Sequence, residues 1–153
     1  MSSAPSLPEM LGHWHIVATT LPFWNGKRGA RVEYVDLGDA TWRDIVRYED
    51  ARGRTKEIAG RDRLTGGPTA VDARVRWRGE GWLAWISSDW RFLEVDPDGQ
   101  WAITWFSRAS FRVTPEGMDV YTRSRGQSGI DALVERAASR AEAARCGAWF
   151  RTE

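Results

Sequence analysis

Hydrophobic and polar residues alternate with a period of two along most of the chain, from residue 11 to about residue 125. This period is typical of β-strands, because successive side chains of a strand point to opposite faces of the sheet. Gly, Pro, Asn and Asp interrupt the alternation at short intervals and mark turns. The predicted strands between these turns are 11–20, 31–35, 41–48, 54–61, 72–78, 82–87, 90–95, 100–107, 110–113 and 119–123. Short strands at this spacing are typical of an antiparallel barrel or sandwich.

The period changes after Gly126, where apolar residues recur at helical spacing. Ile130, Leu133, Val134 and Ala137 share one face, which predicts an amphipathic helix over about 128–145. One helix cannot cover both faces of a sheet, so the strands must bury their own inner faces, and closing a barrel also removes the exposed edges. We therefore predict an all-β, eight- or nine-stranded antiparallel up-and-down barrel with one C-terminal α-helix packed outside. Residues 11–153 are predicted to form one domain, after a flexible leader at 1–10.

Arginine residues identify the outer face of two predicted strands, because unpaired guanidinium groups are costly to bury. These outward residues are Arg43, Arg47, Arg74, Arg76 and Arg78. The opposite faces should point inward, and they carry Trp42, Asp44, Val46 and Tyr48 in one strand and Trp77 in the other. Segments 82–87, 90–95 and 100–107 have no clearly polar face, so which of their faces is inward stays open.

The expected inner faces mix large aromatic residues with a few polar groups, and the chain contains ten tryptophans. This mixture suits a barrel that holds a small ligand, since a small solid core prefers Val, Ile and Leu, although the tryptophans could also be plain packing. The predicted ligand-binding residues are Tyr34, Trp42, Tyr48, Trp77, Trp90, Phe92 and Trp105. A carboxyl group buried among aromatic side chains would have a raised pKa, as acid–base catalysis requires. The candidates for catalysis are Asp44, Tyr48 and Glu94, and the alternative is that the acids pair with arginines across strands.

Composition and charge mainly exclude classes of partner and cellular setting. The 153 residues include 22 basic and 21 acidic ones, for a net charge of +1, which argues against a nucleic-acid partner. The sequence contains no run of about 18 apolar residues, so no membrane span is predicted. Residues 1–10 lack the pattern of a secretory signal. The one cysteine, Cys146, cannot form an internal disulfide. Together these features favour a reducing, cytoplasmic setting.

Several short motifs resemble one family. Gly12-His13-Trp14 opens the first predicted strand in the Gly-x-Trp form with which the lipocalins begin. Segment 92–98 with 101–103 resembles the second conserved region of that family, and 120–123 resembles the third, which ends in Arg123 before the last helix. The chain thus resembles the lipocalins of the calycin superfamily, and in particular bacterial lipocalin-like proteins. The resemblance implies that Trp14, beside Gly12, closes the barrel floor and that Arg123 lies across its indole.

The sequence contains no glycine-rich phosphate loop, Cys-x-x-Cys pair or His-Glu-x-x-His motif. His13 and His15 share one strand face but lack a third ligand, so we expect neither a metal nor a cofactor. We predict that the barrel cavity binds a small hydrophobic or aromatic molecule. The alternative is a cytoplasmic biosynthetic enzyme on the same barrel, a cyclase, isomerase or dehydratase acting on a polyene or polyketide-like substrate. The sequence leaves open whether the protein is an enzyme, which ligand it binds and whether it oligomerises.

Overall fold

The computed structural model describes residues 5–67, 69–71, 73–110 and 114–153, and within them the chain forms nine β-strands and one α-helix. The strands are β1 (Gly12–Thr19), β2 (Arg28–Gly38), β3 (Thr41–Glu49), β4 (Thr55–Leu64), β5 (Val75–Gly79), β6 (Ser87–Val95), β7 (Trp101–Phe106), β8 (Gly117–Thr122) and β9 (Phe150–Arg151). The helix α1 spans Ile130–Ala138. Each of the strands β1 to β8 pairs antiparallel with the next, and β8 returns to β1, so the sheet closes. The predicted up-and-down barrel is confirmed, with β9 as an extra strand on β1.

Tight turns at both ends of the barrel allow consecutive strands to pair directly. Between β3 and β4 the Asp50 carboxylate accepts hydrogen bonds from the backbone N–H groups of Arg52 and Arg54, at 2.9 and 3.0 Å. Gly53 completes this turn at a φ of +75°, a value that glycine adopts at little cost. Such turns leave no length for crossover helices, and this is why the sheet is antiparallel throughout.

Two predicted strands have a different outcome. The segment 82–87 is not a strand, because a 3₁₀ turn at Gly81–Leu83 bends the chain outward and β6 begins only at Ser87. Trp82 and Trp85, on this connection, are 81% and 52% exposed. The predicted strand 110–113 lies, apart from its first residue, outside the described residues.

The helix is shorter than predicted. α1 ends at Ala138, and Arg140 takes an extended conformation before a separate 3₁₀ segment, Ala141–Arg145. Arg140 lies beyond the end of the helix and forms ion pairs with Glu94 on β6 and with Glu142. Within the described residues, no helix has the length and apolar character needed to cross a membrane.

Two hydrophobic clusters lie on opposite sides of the sheet. One fills the barrel interior, and the other lies between the outer surface of β1, β6, β7 and β8 and the apolar face of α1. Ile130, Leu133 and Ala137 are the buried residues of that helical face. The helix therefore packs outside the barrel, as predicted, and leaves the interior to the strands.

One end of the barrel is closed. The Trp14 indole is fully buried there, and its N–H donates a hydrogen bond to the Met10 carbonyl at 2.7 Å. The Arg123 guanidinium lies 3.6 Å from the centre of the indole. It also donates to backbone carbonyls, at 2.9–3.2 Å, of Glu9, Leu11, His13 and Gly99. Gly12 has a φ of +94°, which a side chain would oppose, so glycine is required where the chain enters β1 beneath Arg123.

The segment expected to be a flexible leader takes part in this closed end. From Pro5 onward it is described, and it includes a short 3₁₀ turn at Pro8–Met10. Leu7 and Met10 are buried in the interior cluster, so residues 5–10 of the predicted flexible leader pack against the barrel. The physical reason is that two apolar side chains cap the barrel floor, which outweighs the ordering cost of a Pro-containing segment.

Candidate functional site

The barrel interior contains a cavity of about 180 Å³ between the closed end and the loops of the opposite end. The connection from β1 to β2 covers its mouth with a 3₁₀ turn, Pro22–Trp24. Leu21 on this connection lies directly over Gly117 of β8, where any Cβ atom would collide with it at 2.2 Å. The aromatic residues that line the cavity are Phe23, Trp24, Tyr34, Trp77, Trp90, Phe106 and Tyr121. The polar residues that line it are Asp44, Ser88, Thr114 and Asp119.

Trp90 organises the aromatic wall. Its indole stacks on the Tyr34 ring with centroids 5.3 Å apart and an interplanar angle of 12°. Phe92 contacts it edge-on at 5.2 Å, and the indole N–H donates to the Asp62 carboxyl at 3.0 Å. A buried indole with its N–H satisfied is held in one orientation. This wall is therefore a pre-formed surface on which a planar apolar molecule can rest.

Trp77 reaches the cavity because glycine stands beside it on β4. A Cβ atom at Gly60 would lie 2.1 Å from the Trp77 indole nitrogen, so any other residue would displace the ring. Gly60 also pairs directly with Asp44 in the register of β3 and β4. The Trp77 indole therefore lies over the strand position next to the Asp44 carboxyl.

Two carboxyl groups on adjacent strands form a buried pair. Asp44 on β3 is 6% exposed and Asp62 on β4 is 0% exposed, and the two carboxyl groups lie close enough for each to shift the pKa of the other. Their interaction lowers the pKa of Asp44 and raises that of Asp62. The Trp42 indole N–H faces Asp62 across the strand pair but lies outside hydrogen-bond geometry. Within the described residues, this N–H and the Asp62 Oδ2 atom have no hydrogen-bond partner.

A second polar group lies on the β8 side of the cavity. Asp119 accepts a hydrogen bond from the Thr19 hydroxyl at 2.6 Å. Two positions further along the same face, the Tyr121 hydroxyl lies 3.2 Å from the Tyr34 hydroxyl. Tyr34 also pairs directly with Asp44 in the register of β2 and β3.

Burial dominates the ionisation of these groups. It raises the pKa of Asp44 from 3.8 to about 6, an effect that the neighbouring Asp62 carboxyl opposes. It raises the pKa of Asp119 to about 7, against the hydrogen bond from Thr19. The pKa of Asp62 lies well above its ordinary value, first through burial and then through the charge of Asp44. Burial likewise raises the pKa of Tyr34 and Tyr121 well above 10.0, so both phenols are neutral at any ordinary pH.

The seven predicted ligand-binding residues occupy four kinds of position. Tyr34, Trp77 and Trp90 line the cavity. Trp42 and Phe92 belong to the interior cluster below it, and Tyr48 packs edge-on against Phe23 and Trp24 of the covering turn, at 5.5 and 5.7 Å. Trp105 alone lies on the other side of the sheet.

The prediction for Trp105 is wrong about its direction. Its indole belongs to the cluster outside the barrel, and the N–H donates to Glu116 at 2.7 Å. Phe106, the next residue, is the one that lines the cavity. The alternation in β7 could not decide between these faces, because α1 covers the outer surface here and makes both faces apolar.

The three catalytic candidates also separate. Asp44 lines the cavity. Tyr48 is instead a partly buried residue that packs against the turn covering the cavity mouth. Glu94 is outside the barrel, where it forms ion pairs with Arg136 and Arg140, so its expected place beside the cavity is wrong. A β-bulge between Phe92 and Glu94 is the reason, because the extra residue reverses the alternation that put Trp90, Phe92 and Glu94 on one face.

Sequence reasoning missed Asp62, Asp119 and Tyr121. The predicted strand 54–61 ended one residue before Asp62, while β4 continues to Leu64. Asp119 and Tyr121 alternate with the apolar Met118 and Val120, which pack under α1. The resemblance placed Arg123 at the barrel floor. Counting back from it in steps of two gives residues 121 and 119, and this would have predicted both inward positions.

Comparisons with known proteins agree on the fold. No protein-family model matches this sequence, and no curated protein matches it. Among solved structures, lobster apocrustacyanin A1 is similar with a TM-score of 0.64 at 16% identity, over 95% of this chain and 78% of that one. Apocrustacyanin C1 gives a TM-score of 0.63 at 15% identity, over 94% and 77% of the two chains. Ex-FABP, a siderocalin described as functioning through dual ligand specificities, gives 0.60 at 20% identity, over 85% of each chain. These likenesses establish a lipocalin-like barrel.

Proposed function

We propose that this protein binds a small hydrophobic or aromatic molecule inside its barrel. The observation that carries the proposal is the cavity of about 180 Å³, walled by the stacked pair Trp90–Tyr34 and by Trp77. An apolar cavity of about 150 Å³ is large enough to hold benzene. The cavity therefore suits a ligand of one or two rings. Dual ligand specificity in a siderocalin of similar fold supports the same interpretation.

The enzyme alternative is not favoured. It requires a polyene or polyketide-like substrate to fold within the cavity, and about 180 Å³ is small for such a chain. The raised pKa values of Asp44 and Asp119 do not choose between the functions, because burial alone produces them.

We also propose that the chain is a divergent bacterial lipocalin that works in the reducing cytoplasm. The contact of Arg123 with Trp14 at 3.6 Å, below the backbone turn at Gly12, supports the family assignment. The single free cysteine, Cys146, supports the reducing setting.

Two tryptophans on opposite faces of the sheet test the cavity as the binding site. In calorimetric titration with 2-phenylethanol, a neutral one-ring probe, we expect a Kd of about 10–100 µM. The variant Trp77→Ala should weaken binding about tenfold or more, because it removes one wall of the cavity. The matched control Trp105→Ala removes an indole from the outer face and should leave the Kd unchanged.

Trp fluorescence of the same samples provides an independent readout, because a ligand beside Trp90 changes the surroundings of its indole. Circular dichroism of both variants should show the β spectrum of the parent protein. Equal losses of affinity in Trp77→Ala and Trp105→Ala, or no binding of the neutral probe by the folded parent protein, would contradict the proposal.

A further inference from the structure

The cavity contains acidic groups and no basic ones. Asp44 and Asp119 line it from opposite sides, and among the described lining residues none is Lys, Arg or His. The barrel is not short of arginine, since all but two of its 22 basic residues are arginines. The arginines with known partners bond to carboxylates or carbonyls on the outer face or at the two ends. The interior carboxyl groups are thus left without a countercharge.

Asp44 lacks any partner except another acid. Its carboxyl is more than nine-tenths buried and lines the cavity, and Asp62 is the one side chain of the described residues that shifts its pKa. Asp119 differs, because the Thr19 hydroxyl already donates to it at 2.6 Å. A buried carboxyl that faces empty space and accepts no N–H bond is costly unless a ligand supplies the donor.

The aromatic rings around Asp44 also favour a positively charged group. Trp77 lies over the strand position beside Asp44, and Trp90 and Tyr34 form the adjoining wall. Indole and phenol faces attract cations, most strongly where water is excluded. A carboxyl group and aromatic faces in one apolar cavity together favour a cation that carries its own apolar body.

We propose that the ligand is a small aromatic or apolar amine, whose ammonium group binds to Asp44 while its ring occupies the aromatic wall. This inference rests on the proposed binding function and adds the charge class of the ligand. Asp62, which neighbours Asp44 and accepts from Trp90, is a positioning residue beside the acceptor.

The ionisation of the site couples binding to pH. The titratable groups that face Asp44 are Asp62 on β4, Tyr34 on β2, and Asp119 and Tyr121 on β8. Both tyrosines stay neutral, so the carboxyl groups alone respond. In the free protein burial holds the pKa of Asp44 at about 6, and an ammonium ion favours its ionised form. Affinity for an amine should therefore rise as the pH increases from 5 to 8, while affinity for a neutral molecule should change little.

Three probes of one shape and different charge test the proposal: 2-phenylethylammonium, 2-phenylethanol and 3-phenylpropanoate. At pH 8 we expect the cation to bind at least tenfold more tightly than the alcohol, and the anion to bind more weakly than both. At pH 5 the advantage of the cation should fall to about threefold or less. If none of the three binds, the proposed function itself fails. If the alcohol binds as well as the cation at pH 8, the charge class is wrong while binding stands.

Asparagine variants locate the contact. Asp44→Asn should bring the affinity for the cation down to that for the alcohol and leave the affinity for the alcohol within about twofold, which also shows that the cavity is intact. Asp119→Asn, the matched control on β8, should keep most of the preference for the cation. The opposite result, with the preference lost in Asp119→Asn and kept in Asp44→Asn, would overturn the assignment to Asp44. The pH comparison on the parent protein needs no variant, so the proposal stays testable if one of them fails to fold.

Discussion

Carboxyl groups on the two faces of the sheet have opposite surroundings. On the outer face, Glu94 is paired with Arg136 and Arg140, and Asp89 is paired with Arg76 at 2.7 Å. On the inner face, Asp44 meets only Asp62, and no basic residue lines the described cavity. The outer pairs are partly solvated and cost little to maintain. The inner carboxyl groups have no positively charged partner among the described lining residues. This difference is the basis of the proposed binding of a cation.

The difference appears in the ionisation of the two sets. Outside the barrel, the hydrogen bond from Arg140 lowers the pKa of Glu142 below 4.5. Inside, burial raises the pKa of Asp119 to about 7. The chemical groups are nearly the same, so the surroundings alone produce the divergence. A folded barrel can therefore keep interior acids neutral at low pH and offer them to a cation at higher pH.

Tryptophan substitutions should produce the largest contrast between inside and outside. Trp14→Ala should lower the free energy of unfolding by about 3–5 kcal/mol, because it opens a cavity at the closed end and removes the surface on which Arg123 lies. Trp82→Ala should change it by less than about 0.5 kcal/mol, because that indole is 81% exposed. Urea denaturation of both variants measures the difference, and similar losses for the two would refute the assignment of Trp14 to the interior.

The next effect is the pH dependence of stability. Asp119 has a pKa of about 7 in the folded protein against 3.8 ordinarily, so at pH 5 the folded state holds a proton that the unfolded state has lost. Stability from this group is therefore present at low pH and is lost as the pH rises from about 4 to 7. Between pH 5 and pH 8 the parent protein should lose about 2–3 kcal/mol more than Asp119→Asn does.

Denaturant midpoints at the two pH values measure this slope. Glu94→Gln is the matched outer-face control and should keep the parent slope, because it changes an ion pair outside the barrel and leaves Asp119 and its surroundings in place. An unchanged slope in Asp119→Asn would mean that Asp119 is ionised at pH 5, and the contrast between the faces would fail.

The smallest effect belongs to the outer pairs. Glu94→Gln should cost only about 0.3–1 kcal/mol at pH 7, because its ion pairs with α1 and the following segment are partly solvated. The loss should shrink further in 1 M salt, where exposed charges are screened. A loss above about 2 kcal/mol in the denaturant midpoint would show that this pair acts as a buried one.

The sequence predicted most of the barrel because period-two alternation reports which face of a strand is solvated. It succeeded where arginines mark the outside, as with Arg43 beside Asp44 and Arg76 beside Trp77. It failed where that contrast is missing: α1 makes the outer face of β7 apolar, which hid the direction of Trp105. It failed at Glu94 because a β-bulge, which alternation cannot reveal, reverses the strand's faces.

The candidate site was harder to predict than the fold. Asp44 was found because its neighbours on β3 have a clear pattern, but its partner Asp62 lies across a strand pair whose register depends on the whole sheet. The pairing of Asp44 with an acid instead of an arginine is a three-dimensional fact of this kind. Composition suggested that Asp44 would pair with an arginine, because arginine is abundant in the sequence. However, none of the described residues that line the cavity is an arginine.

One measurement tests the central claim directly: a carbon-13 NMR titration of the side-chain carboxyl groups in the free protein. The account predicts that Asp44 and Asp119 titrate with pKa values of about 6 and about 7. Glu142 on the outer side should titrate with a pKa below 4.5 in the same spectra. If Asp44 and Asp119 are instead fully ionised by pH 5, then the interior acids already have a countercharge, and the contrast between the two faces is wrong.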